Sequence, residues 1–352
     1  MKIIRQGTAV RGIGGKGCYW PSVARLNDGR IVLSYSGGRL NHICPFGRVE
    51  ISYSSDEGKH WSMGIPVLDT PLDERDAGII FWKGRTVLTT FNNTVDFQRK
   101  CLKKWPETWT DNEIIFLNSY LNCITPEIEK ENLGSLVSFS SDGEHFESFH
   151  RVPVTSPHGP LPLSDGRLFY AGKAFSGNQS WTDTPLGNGL YTIFTDDGKH
   201  WSAPSALPEA IGFSLYEPFA IECEKGHILL SVRAHKEGEL TVLLSDSFDG
   251  GKSFSPFRPT GICGSPPHLC RQGDNLILTY GRRIPPYGIR ARISFNNGLS
   301  WEPEISLRQD GLDWDLGYPA SVALSDGSLL TVYYIKPMGG KLPEIQYTVW
   351  TI

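Results

Sequence analysis

Two short patterns alternate along the chain, and their alternation limits what it can fold into more than any other feature. The first is an apolar run, a tight glycine turn and a second apolar run. Ala24-Arg25-Leu26-Asn27-Asp28-Gly29-Arg30-Ile31-Val32-Leu33 shows it, and it recurs around Gly84, Gly166, Gly226, Gly273 and Gly327. Asp-Gly between alternating hydrophobics predicts a hairpin, because both residues tolerate the positive φ of a tight turn. The second pattern is Ser/Thr-x-Asp-x-Gly-x-x-aromatic, as in Ser54 to Trp61 and Ser247 to Phe254. Ser140 to Phe146 and Thr195 to Trp201 are each one residue shorter, and Ser294 to Trp301 carries Asn296 for Asp. Its Asp and Ser side chains can bond nearby backbone N–H groups while the ring packs under the sheet, which is a structural task rather than a catalytic one.

Six glycine-turn hairpins, five followed by the second turn, predict six units of about four strands. Four-stranded units repeated radially are the blades of a β-propeller, so the expected fold is all-β with six antiparallel blades. The sixth unit lacks the second turn, but Glu344 to Trp350 reads as a further strand, and Lys2-Ile3-Ile4 is placed to supply the outer strand and close the ring between the chain ends. One blade cannot cover both its faces alone, so residues 1–352 are expected to form a single domain. The rhythm breaks once, at an insertion over about 92–132, expected to hold a short helix and to serve as a lid, a subunit contact or a plain surface excursion.

Composition excludes several classes. Lys+Arg 34 against Asp+Glu 38 gives a net charge of -4, which argues against a nucleic-acid binder. Seven cysteines with no CxxC pair point to free thiols rather than a disulfide framework or a zinc ribbon. No apolar run approaches the roughly 20 residues of a bilayer helix, so no membrane partner is expected. Arg5 follows Met1-Lys2-Ile3-Ile4 at once, leaving no apolar signal core. A cytoplasmic location is therefore expected for the chain as given, or a secreted one if a leader has been removed. Asn92-Asn93-Thr94 and Asn178-Gln179-Ser180 match the glycosylation pattern, which carries no weight without a leader. Neither a Walker loop nor HExxH nor a Gly-x-Ser-x-Gly elbow stands in a fitting context.

In such a ring both turn types sit at one end, so functional groups should collect at the other, where each inner strand begins. Those starts are Tyr19-Trp20-Pro21, Arg75-Asp76-Ala77-Gly78, His158-Gly159-Pro160, Tyr216-Glu217-Pro218, Pro267-His268-Leu269 and Gly317-Tyr318-Pro319. They would bring Asp76, His158, Glu217, His268 and Tyr318 around one axis. Second-strand ends add Arg39, Lys173, Arg233, Arg282-Arg283 and Lys336, and third-strand starts add His42, Arg48 and Arg290. Cations gathered on one face of a net-acidic protein point to an anionic ligand, since the guanidinium fork matches a carboxylate.

These residues resemble the sialidase superfamily of six-bladed propeller glycosidases, with five Asp-box-like turns and the strand starts between them. Glu217-Pro218 through Leu229-Leu230-Ser231-Val232-Arg233 looks like the segment bearing a catalytic Glu and one Arg of the carboxylate-binding triad; Arg290 is similarly placed to another. Gly317-Tyr318-Pro319 looks like the nucleophile strand. The resemblance implies retaining hydrolysis of a terminal acidic sugar, most simply sialic acid, with Tyr318 as nucleophile, Glu217 as its base, and no metal or cofactor. The chain departs from the pattern twice. Tyr19-Trp20-Pro21 stands where an Arg-Ile-Pro-like motif is expected, leaving Arg39, Arg48 or Arg75 to replace that cation. His42 stands where an acid/base Asp is expected, with Asp73 or Asp76 as the other candidate acids. Arg283, His158 and His268 complete the candidate substrate contacts. Alternatives from other classes are a lyase or hydrolase acting on uronic-acid glycans and a non-catalytic glycan-binding propeller. An oligomer through the insertion is a further expectation.

Overall fold

The predicted glycine turns close hairpins throughout the computed structural model, which describes residues 1–175 and 186–352. In the first, Gly29 adopts φ 86°, its N–H donates to Leu26 O at 3.1 Å, and Leu26 N–H donates to Arg30 O at 2.8 Å. The same pair of bonds recurs at Leu163/Gly166/Arg167 and Leu324/Gly327/Ser328. Blade 1 follows as Gly17–Arg25, Ile31–Arg39, Arg48–Ser54 and Ile65–Leu68, each strand antiparallel to the next.

Six such sheets surround one axis. Their inner strands are Gly17–Arg25, Asp73–Trp82, the pair Val154–Thr155 and Leu161–Pro162, Ser214–Glu224, Pro267–Gln272 and Gly317–Ala323. The N-terminal strand Lys2–Val10 pairs antiparallel with Glu344–Thr351 and forms the outer edge of blade 6, so the ring closes through the chain ends as expected. Blade 3 differs from the four-strand expectation. Pro157 and Pro160 each remove a ladder donor and Gly159 sits at φ 78°, so its inner strand is two short pieces and the sheet counts five strands.

The core lies between blades. In Leu329–Ile335 every residue is buried. Leu329, Tyr333 and Ile335 pack toward blade 5, while Leu330, Val332 and Tyr334 pack toward blade 1. Period-two alternation thus serves two neighbours at once, which is why these middle strands read as continuous apolar runs. The rings of the second turn, Trp61, Phe146, Trp201, Phe254 and Trp301, each pack into the seam with the preceding blade. Their Asp accepts from the backbone: Asp56 Oδ1 takes His60 N–H at 2.9 Å and Ser54 Oγ takes Gly58 N–H at 2.8 Å.

The insertion holds more than the single short helix expected. It contains α1 (Val95–Lys104), a 3-10 turn (Pro106–Thr108), α2 (Asp111–Asn122) and α3 (Pro126–Asn132). Each α-helix starts on a threonine cap, Thr94, Thr110 or Thr125, and Thr110 with Glu113 forms a full capping box. Leu102, Leu117 and Leu121 form its own small core, with Phe46 of blade 1 packed against it. Asn92 of the first glycosylation pattern is buried, and its amide donates to Glu74 and Asn132, so it is not an accessible acceptor. The second pattern lies outside the described residues.

Candidate active site

Four inner strands carry a one-residue bulge at the same place. Tyr19 pairs with Ser36 and Ser22 with Ser34; the same three-against-two step occurs at Arg75/Gly78, Tyr216/Phe219 and Gly317/Ala320. The bulged residues Trp20, Asp76, Glu217 and Tyr318 all sit at φ 49–50°. Non-glycine residues rarely adopt that conformation, and a bulge re-aims the side chain it carries. Three of the four precede a proline, which lacks the donor the ladder loses there anyway. Strained backbone repeated in four blades is therefore what brings these side chains together.

Tyr318 and Glu217 meet at the centre. The Tyr318 hydroxyl donates to Glu217 Oε1, and Arg233 Nη1 donates to both oxygens of the same carboxylate at 3.1 and 3.0 Å. Burial alone would raise Glu217, but the Arg233 charge, the Tyr318 hydroxyl and Arg283 hold it below the usual carboxylate range. Burial, then the Glu217 and Asp76 charges, push the Tyr318 phenol well above its ordinary value. The proton therefore belongs to the phenol, with an ionised base beside it. Arg233 Nε donates to His235 Nε2 at 2.7 Å, and burial followed by the Arg233 charge keeps that imidazole neutral by lowering its pKa. Arg283 lies 5.6 Å from the Tyr318 ring centroid and donates to the Tyr334 hydroxyl at 3.4 Å.

Asp76 is the opposite case among the carboxylates. Burial pushes it up to about 7, against the opposing Arg75 charge, and its Oδ1 has no protein partner. His42 stands at the edge of the same cluster, edge-on to Trp20 at 5.2 Å between centroids. Its Nδ1 lies 2.9 Å from Asp315 Oδ1, which also accepts from the Tyr334 hydroxyl at 2.9 Å. Although burial opposes it, the His42 bond, Lys336 and Tyr334 bring Asp315 down to about 2; desolvation outweighs Asp315 and lowers His42. His42 is thus a neutral imidazole oriented by a carboxylate.

Several predicted site residues are committed elsewhere. Arg290 donates to Glu304 Oε1 at 3.0 Å and to the carbonyls of Pro286, Ile289 and Arg308; Tyr280 also donates to Glu304, at 2.7 Å. Arg48 repeats this in blade 1, donating to Glu50 at 2.6 Å beside Tyr35, which donates to the same carboxylate at 2.8 Å. Both arginines are thus bonded, in equivalent sheets, to a carboxylate that also takes a tyrosine hydroxyl. Arg39 is fully buried on Asp73 at 2.6 Å, which removes both from the candidate set. A Cβ on Gly47 would lie 1.9 Å from Arg39 Nη1, so glycine is required where the chain crosses this pair. Arg75 lies with its Cζ 3.9 Å from the Trp20 ring centroid and donates to His42 O at 2.9 Å. His158 and His268 do meet near the axis, His268 stacked on Phe219 and His158 edge-on to it, with the His158 ring 6.4 Å from Tyr318. Burial lowers His158 to about 4, and neither of its ring nitrogens has a protein partner.

Sequence reasoning missed Asp315, Tyr334 and Trp314. The signal available was Asp313-Trp314-Asp315, two acids and an indole directly ahead of the blade 6 inner strand. Beside this triplet a cleft of about 430 Å³ opens between His42, Lys336 and the insertion, where Trp105 and Trp109 line the far wall. Among the described residues no group of three or more His, Cys, Asp or Glu side chains is placed to hold a metal ion.

The fold has close counterparts among solved structures. A protein of unknown function from Dyadobacter fermentans superposes with TM-score 0.76 at 22% identity, covering 99% of this chain and 98% of the other. A Streptococcus pneumoniae sialidase gives TM-score 0.67 at 13% identity, over 100% of this chain and 70% of the other. A Penicillium chrysogenum α-L-arabinanase bound to arabinobiose gives TM-score 0.66 at 13% identity, over 99% and 98%. No protein-family model and no curated protein matches the chain. These likenesses define the six-bladed propeller as the architecture shared with glycoside-cleaving enzymes.

Proposed function

We propose that the chain is a retaining exo-glycosidase of the sialidase type, cleaving a terminal acidic sugar, a ulosonic acid such as sialic acid or a uronic acid, from a glycan. The observation that carries this is the neutral Tyr318 phenol donating to an ionised Glu217 held by Arg233. In the first step Tyr318 Oη attacks the anomeric carbon while its proton passes to Glu217, and the bond to the leaving oxygen breaks with a proton supplied by Asp76. In the second, Asp76 takes a proton from water as the hydroxide equivalent displaces Tyr318, and Glu217 returns its proton to the phenolate. A phenol approaches an anionic sugar without the repulsion a carboxylate nucleophile would meet. Arg233 and Arg283 are the cations beside the pair; with Arg39 buried on Asp73, Arg48 and Arg290 bonded to Glu50 and Glu304, and Arg75 lying on Trp20, these two are assigned to the sugar carboxylate. Asp76 is preferred to His42 as the acid because it carries a proton near neutral pH, whereas His42 does not.

The test is turnover of 4-nitrophenyl glycosides of sialic and glucuronic acid by the wild type and by Tyr318→Phe, with the product anomer followed by NMR. Retention in the wild type and loss of turnover in a folded variant are expected. Equal rates for the two proteins would remove Tyr318 as nucleophile. A product absorbing in the ultraviolet as an unsaturated sugar would mean a lyase, and binding without turnover a glycan-binding propeller.

A further inference from the structure

The cleft beside the site has a character different from the Tyr318 centre, and that difference assigns its occupant. The 3-10 turn and the end of α1 supply Trp105 and Trp109, blade 6 supplies Trp314 and Lys336, and blade 1 supplies His42. Asn41 Nδ2 donates to Thr108 O at 3.3 Å, tying the insertion to blade 1 at the cleft's rim. Trp105 and Trp314 keep 39% and 55% of their surface exposed, large indole areas left open to a concave space. Its charged groups are Glu107, Asp313 and Asp315 against Lys336, whose ammonium is held 2.7 Å from Asp313. No arginine lines it, and the acids outnumber the cation, so a carboxylate is repelled here while Arg233 and Arg283 attract it next door. Trp314 joins the two regions: its ring centroid is 6.0 Å from Arg283 Cζ and 6.2 Å from the His42 ring.

We infer that this cleft is the leaving-group subsite, and that it takes a neutral, hydroxylated sugar whose C–H face lies on the indoles while its hydroxyls bond Asp313 and Lys336. A volume of about 430 Å³ suits a mono- or disaccharide. The inference rests on the glycosidase reading for where the cleaved bond lies, and it makes the insertion a determinant of which glycan is accepted. The substrate is thereby oriented by charge, its acidic end at the arginines and its neutral end at the tryptophans.

Binding is measured on the full chain by calorimetry with lactose, cellobiose and arabinobiose, none of which carries an acid and none of which needs to be cleaved. At least one is expected to bind, and Trp105→Ala and Trp314→Ala should each weaken it about tenfold or more. Both side chains are partly exposed, so these variants keep the fold, which circular dichroism and thermal unfolding check. Glucuronic acid should lose binding in Arg283→Ala and keep it in Trp105→Ala. Failure of all three neutral sugars to bind, or binding unchanged in both tryptophan variants, overturns the inference. Neutral-sugar binding that depends on the tryptophans, in a protein that turns over no acidic glycoside, would keep the cleft as a sugar site and overturn the catalytic reading instead.

Discussion

Glu217 and Asp76 occupy the same bulge in different blades, yet their surroundings hold them in opposite protonation states. Arg233 keeps the first ionised, while burial with one unbonded oxygen keeps the second protonated up to about pH 7. Activity needs both states together, so its pH profile should be bell-shaped, falling on the acid side as Glu217 gains a proton and on the alkaline side above about 7 as Asp76 loses one. Asp76→Asn should lower kcat by about 10²–10⁴-fold on glycosides with poor leaving groups and far less on dinitrophenyl glycosides, which need no acid. The same substitution tests linkage. A carboxyl raised from 3.8 to about 7 contributes stability that is complete below 3.8 and lost as pH rises through about 7, so Asp76→Asn should raise Tm more at pH 8 than at pH 5. At this scale the candidates Asp76, Glu217 and Tyr318 were legible, since the repeat fixes where each inner strand begins. The choice between Arg283 and Arg290 was not: both lie in blade 5, and only strand register and the Glu304 strut show which one is committed to the scaffold.

The Ser/Thr-x-Asp turns and the insertion are the elements with checkable energetics. Bonds from the backbone and the following histidine hold Asp56, Asp142 and Asp197 well below the ordinary aspartate range. A depressed carboxyl contributes stability that is present above its unfolded value near 3.8 and lost as pH falls through the lower folded value. Asp142→Asn should therefore flatten the loss of stability below pH 4, read as the urea midpoint at pH 5 and pH 3. The blade 5 turn already runs on Asn296, whose Oδ1 accepts from Ser300 N–H at 2.9 Å, so an amide fits the geometry. In the insertion, Thr110→Ala removes the capping box of α2 and should cost about 1 kcal/mol, seen as increased amide exchange in α2 with the blades unaffected. The sequence pointed to one short helix in the insertion, without its caps. That three helices would fold over blade 1 and form a cleft wall was not readable there, because it depends on Phe46 meeting α2.

At the scale of the molecule, closure of the ring rests on Lys2–Val10, which covers the otherwise open edge of Glu344–Thr351. Deleting residues 1–10 exposes a full strand edge, so lowered Tm and concentration-dependent association in size-exclusion chromatography are expected. A cut within a seam should cost more per residue. Leu330→Ala, fully buried between blades 6 and 1, is expected to cost about 2–5 kcal/mol by urea unfolding.

Turn chemistry and period-two alternation act over a few residues, so the repeat sufficed for the six blades, the closing strand and the end of the ring where the inner strands begin. The meeting of Tyr318 with Glu217 from blades 6 and 4, the His42–Asp315 pair from blades 1 and 6, and the cleft under Trp105 each join groups far apart in the chain. Those contacts depend on four bulges, on the twist that aims each strand start, and on which charges find partners inside the scaffold. None of these is written in any local pattern; they exist only once the blades have packed around the axis.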